Sequence, residues 1–369
     1  MTDNLIHKIA ISLIPGIGSV TAKSLIAYTG SAEQVFREKE KALRLIPGVG
    51  TILAKNIINS EVMSRAGKEV EFLQKNQVNA LFYLDDDYPQ RLLGCTDAPV
   101  ILYVKGNPPL NCTKVISIVG TRHATEYGKN LVDHFISVLA ERGYRVLIVS
   151  GLAYGIDIQS HKSALRTGMP TVAVMGHGLE TVYPSLHTAI AKEMTENQGG
   201  LVSDFLSNSP IDRTNFLRRN RIIAGLSDAT IVVESAKKGG ALVTAEIANS
   251  YNRDVFAFPG RVGDPYSEGC HFLIKSNRAV LMESVNDLEY VMNWSATQSQ
   301  PDAIQPCLFY DFSADEKLIV DLLRAEGETP IDLICIKTGL PMNKVSPTLL
   351  NLEFAGIVKG LPGKVFKVI

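Results

Sequence analysis

The chain has 369 residues, 46% hydrophobic and 20% charged, the balance of an ordinary globular protein and not of a disordered or fibrous one. At roughly 150 residues per domain that length gives two or three domains. Lys and Arg number 37 against 38 Asp and Glu, a formal net charge of −1, so no global field draws in nucleic acid and any such binding needs a local basic patch. The five cysteines, Cys95, Cys112, Cys270, Cys307 and Cys335, form no CxxC pair and read as reduced thiols of a cytosolic protein. The opening residues, MTDNLIHKIAISLIPGIG, carry an early acid and a helical apolar pattern, unlike a signal peptide. No stretch reaches the roughly 18 apolar residues of a membrane span.

An internal repeat comes first. LIPGIGSVTAKSLI (Leu13 to Ile26) recurs as LIPGVGTILAKNII (Leu45 to Ile58), which predicts two equivalent supersecondary units within a helical domain over residues 1–66. Each is a helix end, a Pro-Gly-x-Gly turn and a second helix bearing Lys23 or Lys55, the helix-hairpin-helix pattern that brings amides and a lysine to a nucleic-acid phosphate. A packing module without DNA contact fits the pattern as well. From Met1 to Arg65 there are eight Lys and Arg against five Asp and Glu, which decides neither way. Residues 69–107 predict a helix followed by short strands, and Asp85, Asp86 and Asp87 there read as a solvated turn, since no partner cluster for a metal is evident.

From Val115 the apolar runs ISIVG, RVLIVSG, TVAVMG, GLVSDF, ATIVVES and VFAFPG alternate with helical patterns. Six short β-branched runs of this kind predict a mostly parallel, doubly wound α/β sheet over residues 67–292, with ligands beyond the carboxyl ends of the strands. Polar and glycine residues punctuate those ends: Gly120, Thr121 and Arg122; Ser150 and Gly151; Gly176, His177 and Gly178; Glu234 and Ser235. The turn after the first strand has the form of an anion-binding helix start. Arg122 stands where a dinucleotide fingerprint needs glycine, and so points to a phosphate gripped by a side chain at an open rim.

RTNFLRRNR, residues 213–221, places four arginines and no acid in nine positions, with Phe216 and Asn220 between them. Guanidinium forks suit phosphate oxygens, and an aromatic beside them offers a stacking face to an unpaired base. A positive helix start or an internal salt-bridge network is the plainer alternative. KKGGALVTAE, with Gly239, Gly240 and Thr244, forms a second anion-cradling turn without the ending of a Walker loop. No catalytic constellation emerges: Ser150 lies in no GxSxG motif, the histidines show no ligand spacing, and Asp157 and Glu234 stand at turn or strand ends. Residues 293–310 are polar and proline-bounded, a linker. Residues 311–369 give three helical patterns and a hairpin through Pro362 and Gly363, a small winged helix; seven Lys and Arg against eight Asp and Glu from Asp311 onward favour protein contact over DNA contact.

Taken in order, DDYPQRLLGCTDAPVILYVKGN, IVGTRHATEYG, VSGLAYGIDIQSHKSAL, FLRRNRIIAGLSDATIVVES, GGALVTAEIA and VFAFPG resemble the DprA (Smf) family of DNA-processing proteins, and the resemblance covers essentially the whole chain. It implies an extended Rossmann-like fold with a helix-hairpin-helix or SAM-like front and a winged-helix tail. It further implies a cytoplasmic, homodimeric, non-enzymatic protein without cofactor or metal. Such a protein binds single-stranded DNA and helps load RecA recombinase during natural transformation. By position, Arg122 is then the phosphate anchor, Arg213 the basic residue before the RNR motif, Phe216 the stacking aromatic, and Arg219, Asn220 and Arg221 the motif itself. Gly120, Thr121, Ser150, Gly151, Gly239, Gly240 and Thr244 complete the DNA-binding set, and Arg218 adds charge. His177, Glu180, His187 and His271 depart from the family's usual wording, as do Gly239 and Ala241. A competing expectation is an enzyme of the nucleoside-monophosphate phosphoribohydrolase type, with Glu246 catalytic and Arg122 on a single phosphate. A pure interaction scaffold is the third.

Overall fold

The computed structural model describes residues 2–59, 61–295, 312–361 and 363–368. They form two compact units, one from residues 1–92 and 96–294, the other chiefly from the residues after Trp294. The first unit opens with α1 (Thr2–Leu13), α2 (Ser19–Thr29), α3 (Ala32–Arg37), α4 (Glu40–Leu43), α5 (Thr51–Ile58) and α6 (Val62–Asn76). The two repeat copies share a backbone: Gly16 and Gly48 both take φ of +82°, a conformation glycine adopts freely. Each turn delivers the chain to a helix, α2 or α5, whose N-cap is again glycine.

These helices are not a separate layer. Ile9 and Ala10 of α1 lie in one apolar core with Val70 and Leu73 of α6 and with Ile101, Tyr103 and Leu201 further along the chain. The buried carboxylate of Glu69 fastens the join: it pairs with Arg65 at 2.7 Å and accepts from the Ser207 amide and hydroxyl at 2.9 and 2.6 Å. The domain boundary expected at residue 66 falls inside α6, and α1 and α6 share an apolar core with the adjoining sheet.

That sheet is built from β1 (Val78–Phe82), β2 (Ile101–Gly106), β3 (Val115–Val119), β4 (Leu147–Ser150), β5 (Thr171–Val174), β6 (Gly200–Ser203), β7 (Ala229–Val232), β8 (Asp254–Ala257) and β9 (Val280–Leu281). Between them run α7 (Gln90–Leu93), α8 (Glu126–Glu141), α9 (Ile156–Arg166), α10 (Thr188–Glu196), α11 (Arg213–Leu226), α12 (Gly240–Ser250) and α13 (Glu268–Lys275), and α14 (Val285–Met292) closes the unit. The strand order is β1-β2-β6-β5-β4-β3-β7-β8-β9, parallel from β6 to β9, with β1 and β2 antiparallel at one edge. All six expected parallel strands are present, because strands covered on both faces read as continuous apolar runs. β3 pairs with β4 on one side and β7 on the other, so the winding reverses there, and the crevice at its carboxyl end is where such sheets bind ligands. At the opposite end Arg91 grips Asp228 through two nitrogens at 2.6 and 2.9 Å, and Asp228 accepts from the Val115 amide at 2.8 Å, fixing where β3 begins.

The second unit contains α15 (Ala314–Glu326), β10 (Thr329–Pro330), α16 (Ile331–Thr338), α17 (Met342–Phe354), β11 (Val358–Leu361) and β12 (Val365–Val368), with strand order β10-β12-β11. Ile319, Leu323, Ile334, Leu349 and Leu352 form its core, and Ser313 with Glu316 makes the capping box that starts α15. Three helices and a small hairpin sheet are the winged-helix order expected. Most of the expected linker, Cys307 and Pro362 lie outside the described residues. Within them, no disulfide joins Cys95, Cys112, Cys270 and Cys335 to one another, and no helix is long and apolar enough to cross a membrane.

Candidate nucleic-acid interface

α11 crosses the carboxyl ends of the central strands, and its sequence decides what it lays on them. Arg213, Phe216 and Arg219 recur every third residue and so share one face of the helix. Glycines at the strand ends admit that face. A Cβ on Gly176, after β5, would lie 2.8 Å from the Phe216 ring, and one on Gly151, after β4, would lie 1.7 Å from an Arg219 guanidinium nitrogen. Beyond β3 the exposed Arg122 follows Thr121, whose amide donates to the Glu234 carbonyl at 2.7 Å and whose carbonyl accepts from Ile156 at 3.2 Å. Gly155, at φ of +78°, lets the β4–α9 loop press against that backbone: a Cβ there would stand 2.1 Å from the Thr121 carbonyl oxygen.

The electrostatics of this rim are unbalanced. Arg219 is 4% exposed, and its Nε has no hydrogen-bond partner. Burial lowers its pKa from the usual 12.5 to about 10, with Asp157 opposing the fall and the charge of Arg122 adding to it. Asp157 is buried as well; it accepts from the Gly151 amide at 3.1 Å, and burial raises its carboxyl against the lowering influence of Arg219. A buried cation this incompletely compensated is costly, and an anion arriving at the rim offsets that cost. Arg213 is exposed at the first turn of α11, beside the Asp212 cap that accepts from the Thr214 amide at 2.7 Å. Phe216 is half-buried, edge-on to His177 at 6.5 Å and tilted 39° against Tyr183 at 5.7 Å. Tyr183 is 47% exposed. Sequence reasoning passed it over, a lone aromatic in the loop between β5 and α10, with no run or period to single it out.

Other expected residues are engaged inside the protein. Arg221 donates to Asp204 at 2.6 Å and to the Asp97 carbonyl, and its side chain is 16% exposed. The arginine run thus divides, with Arg219 turned to the rim and Arg221 committed to an internal ion pair. Asn220 is buried, and Arg218 lies over the Phe205 ring at 5.7 Å. The Ser150 hydroxyl donates to the Ile118 carbonyl at 2.6 Å. Gly120 makes room for Ile156, and Gly239 for the Ser235 hydroxyl. Gly240 and the lysines at 237 and 238 reach solvent or near it, while Thr244 is buried.

The helix start after β3 departs most from expectation. Glu234, 6% exposed, places its carboxylate at the N-terminus of α8, accepting from the Thr125 amide at 2.9 Å and the Thr125 hydroxyl at 2.6 Å. Gly128 leaves space for it, since a Cβ there would lie 2.4 Å from a carboxylate oxygen. The anion position at that helix end is filled by the protein's own acid, which leaves Arg122 as the exposed cation beside β3. The same geometry weighs against the phosphoribohydrolase expectation, in which that loop would seat a nucleotide phosphate. Glu246, the acid that reading requires, is exposed and pairs with Arg278 at 2.8 Å. Of the hairpin lysines, Lys23 lies over the Tyr83 ring at 5.6 Å while Lys55 is exposed. Asp85 pairs with Lys8 at 2.6 Å and accepts from the Phe82 amide, closing a turn. Among the described residues no three His, Cys, Asp or Glu side chains gather to hold a metal ion.

Fold and rim together define a Rossmann-like α/β protein whose switch point presents cations and aromatic rings in place of a nucleotide pocket, followed by a winged helix. Residues 79–293 match the family model for DNA recombination-mediator protein A, and residues 296–364 that for the DprA winged helix domain. The chain belongs to this family, the DprA or Smf proteins. Protein Smf of Escherichia coli is 39% identical over 282 residues, 75% of this chain and 74% of that protein. Protein Smf of Synechocystis is 30% identical over 97% of both chains. Among solved structures, DNA processing protein A from Streptococcus pneumoniae superposes with a TM-score of 0.64 at 30% identity, covering 77% of this chain and 97% of its own. A structure describing the single-stranded DNA binding mode of DNA processing protein A from Helicobacter pylori gives 0.52 at 26% identity, covering 59% and 96%.

Proposed function

We propose that this chain binds single-stranded DNA along the rim from Arg122 through Arg219 to Arg213, with phosphates on the arginines and a base on Phe216, and acts in DNA processing without catalysis of its own. One observation carries the reading: the face of α11 bearing Arg213, Phe216 and Arg219 lies over the carboxyl ends of the sheet, with Arg219 buried and under-compensated. Kinship with a protein whose structure is described by its single-strand binding mode supports it. Arg221, Ser150, Gly120 and Gly239 then act as the scaffold of the site, and Thr121 shapes the Arg122 loop. As in the family's expected role, a homodimer passes the bound strand to RecA recombinase.

The test is salt dependence. Binding of oligo-dT should weaken linearly on a log–log plot against salt, and Arg122→Ala/Arg219→Ala should shallow the slope by about 1.4, roughly 0.7 for each phosphate that is no longer neutralised on a single strand. Equal slopes for wild type and variant would sink the assignment. On the same strand, precoating with the protein should shorten the lag of RecA assembly; an unchanged lag removes RecA from the proposal.

A further inference from the structure

We infer that Tyr183 is a second stacking residue of this face, forming with Phe216 a two-ring shelf for two neighbouring unpaired bases; the inference rests on the single-strand reading above. Tyr183 follows Val182, whose side chain packs against the core, and precedes Pro184 in the loop after β5. The residue is 47% exposed, and its ring lies against that of Phe216, with centroids 5.7 Å apart and planes inclined by 39°.

Phe216 is half-buried and Tyr183 exposed, and both are held from within the protein. Phe216 rests on Gly176 and on the edge of His177, whose Nδ1 bonds the Gly178 carbonyl at 2.8 Å. The loop bearing Tyr183 is fastened at its far end by His187, whose Nδ1 donates to the Leu152 carbonyl at 2.7 Å. A fixed, exposed aromatic surface marks a contact site, and charge identifies the occupant. Arg213 and Arg219 stand one turn to either side of Phe216 on the same helix face, so a chain of phosphates laid on them carries its bases past the two rings. Every base has a π-face and stacks on such rings with little sequence preference. A duplex keeps those faces paired and stacked inside, so the shelf favours single strands.

The experiment compares oligo-dT with an abasic oligomer of equal length, using the full chain, Tyr183→Ala and Tyr183→Phe. Tyr183→Ala should bind oligo-dT between about 5- and 150-fold more weakly, Tyr183→Phe should bind like wild type, and the abasic oligomer should not distinguish the three. An unchanged oligo-dT affinity in Tyr183→Ala overturns the shelf and leaves the single-strand reading standing. So does an equal loss on the abasic oligomer, which would assign Tyr183 a structural or backbone role. A wild-type chain that binds neither oligomer overturns the single-strand reading and the shelf with it.

Discussion

Gly151 and Gly155, four residues apart on one loop, lack side chains for different reasons. At Gly151 the space of a Cβ is taken by the Arg219 guanidinium, at 1.7 Å. Gly151→Ala should therefore leave the fold standing and displace the arginine. Oligo-dT affinity should drop to that of Arg219→Ala, and the double variant should be no weaker than either single one, as a double-mutant cycle would reveal. At Gly155 the neighbours are the backbone of Thr121 and Arg122, and φ is +78°. A non-glycine residue held in that sparsely populated region costs roughly 1–3 kcal/mol before any overlap. Gly155→Ala should lower the stability measured by urea unfolding by at least that much, and an unchanged midpoint would contradict the contact. Both glycines could be seen in the sequence as loop punctuation. Their separate duties could not, because one depends on a side chain of α11 and the other on the loop after β3.

α11 shows how far a motif can be read without its helix. As a string, residues 213–221 offer four equivalent cations. The helical period separates them, and this much was legible, since Arg213, Phe216 and Arg219 fall every third residue. What was hidden is the destination of Arg221, because Asp97 lies 124 positions earlier in the chain. The other carboxylate oxygen of Asp204 has no hydrogen-bond partner, so Arg221→Ala strands a largely buried acid. That should cost roughly 3 kcal/mol in urea unfolding and alter the salt slope of DNA binding less than Arg122→Ala does; the reverse ranking would return Arg221 to the rim. The β-branched runs of β3 to β8 were legible for the opposite reason, their burial being a local property of each run. Tyr183 belongs to no run and no period, and only the packing of its loop on α11 reveals it.

At the scale of the molecule, α1, α6 and the sheet share one core, so the front helices and the sheet should unfold in one urea transition; two separate transitions for them would contradict the shared core. Sequence could not show this, because the apolar faces that meet belong to segments spread from Ile9 to Leu201. The polar interior behind the rim makes this unit sensitive to acid. His161 is fully buried, and burial, with the charges of His187 and Arg219, lowers its pKa from the usual 6.5 to about 3. Between those values the unfolded chain holds the proton and the folded chain does not, so stability rises with pH across that window and is unaffected above it. His177 is lowered in the same sense, chiefly by burial. Urea midpoints should fall as pH drops from 6.5, with a slope approaching 1.4 kcal/mol per unit for each such histidine. His161→Asn should flatten the decline, and an identical pH profile would exclude His161 as its source.

On the proposed single-strand reading, Glu234 biases the rim toward polymers. A helix start open to one phosphate would also accept a free mononucleotide. Here a tethered carboxylate already holds that position through the Thr125 amide and hydroxyl, and no small anion can match its effective concentration. On the single-strand reading, what remains is a row of separate holds, which a polymer engages together and a monomer only one at a time. On that reading the face should discriminate by length: a mononucleotide should not displace bound oligo-dT, and effective competition by a mononucleotide would contradict it.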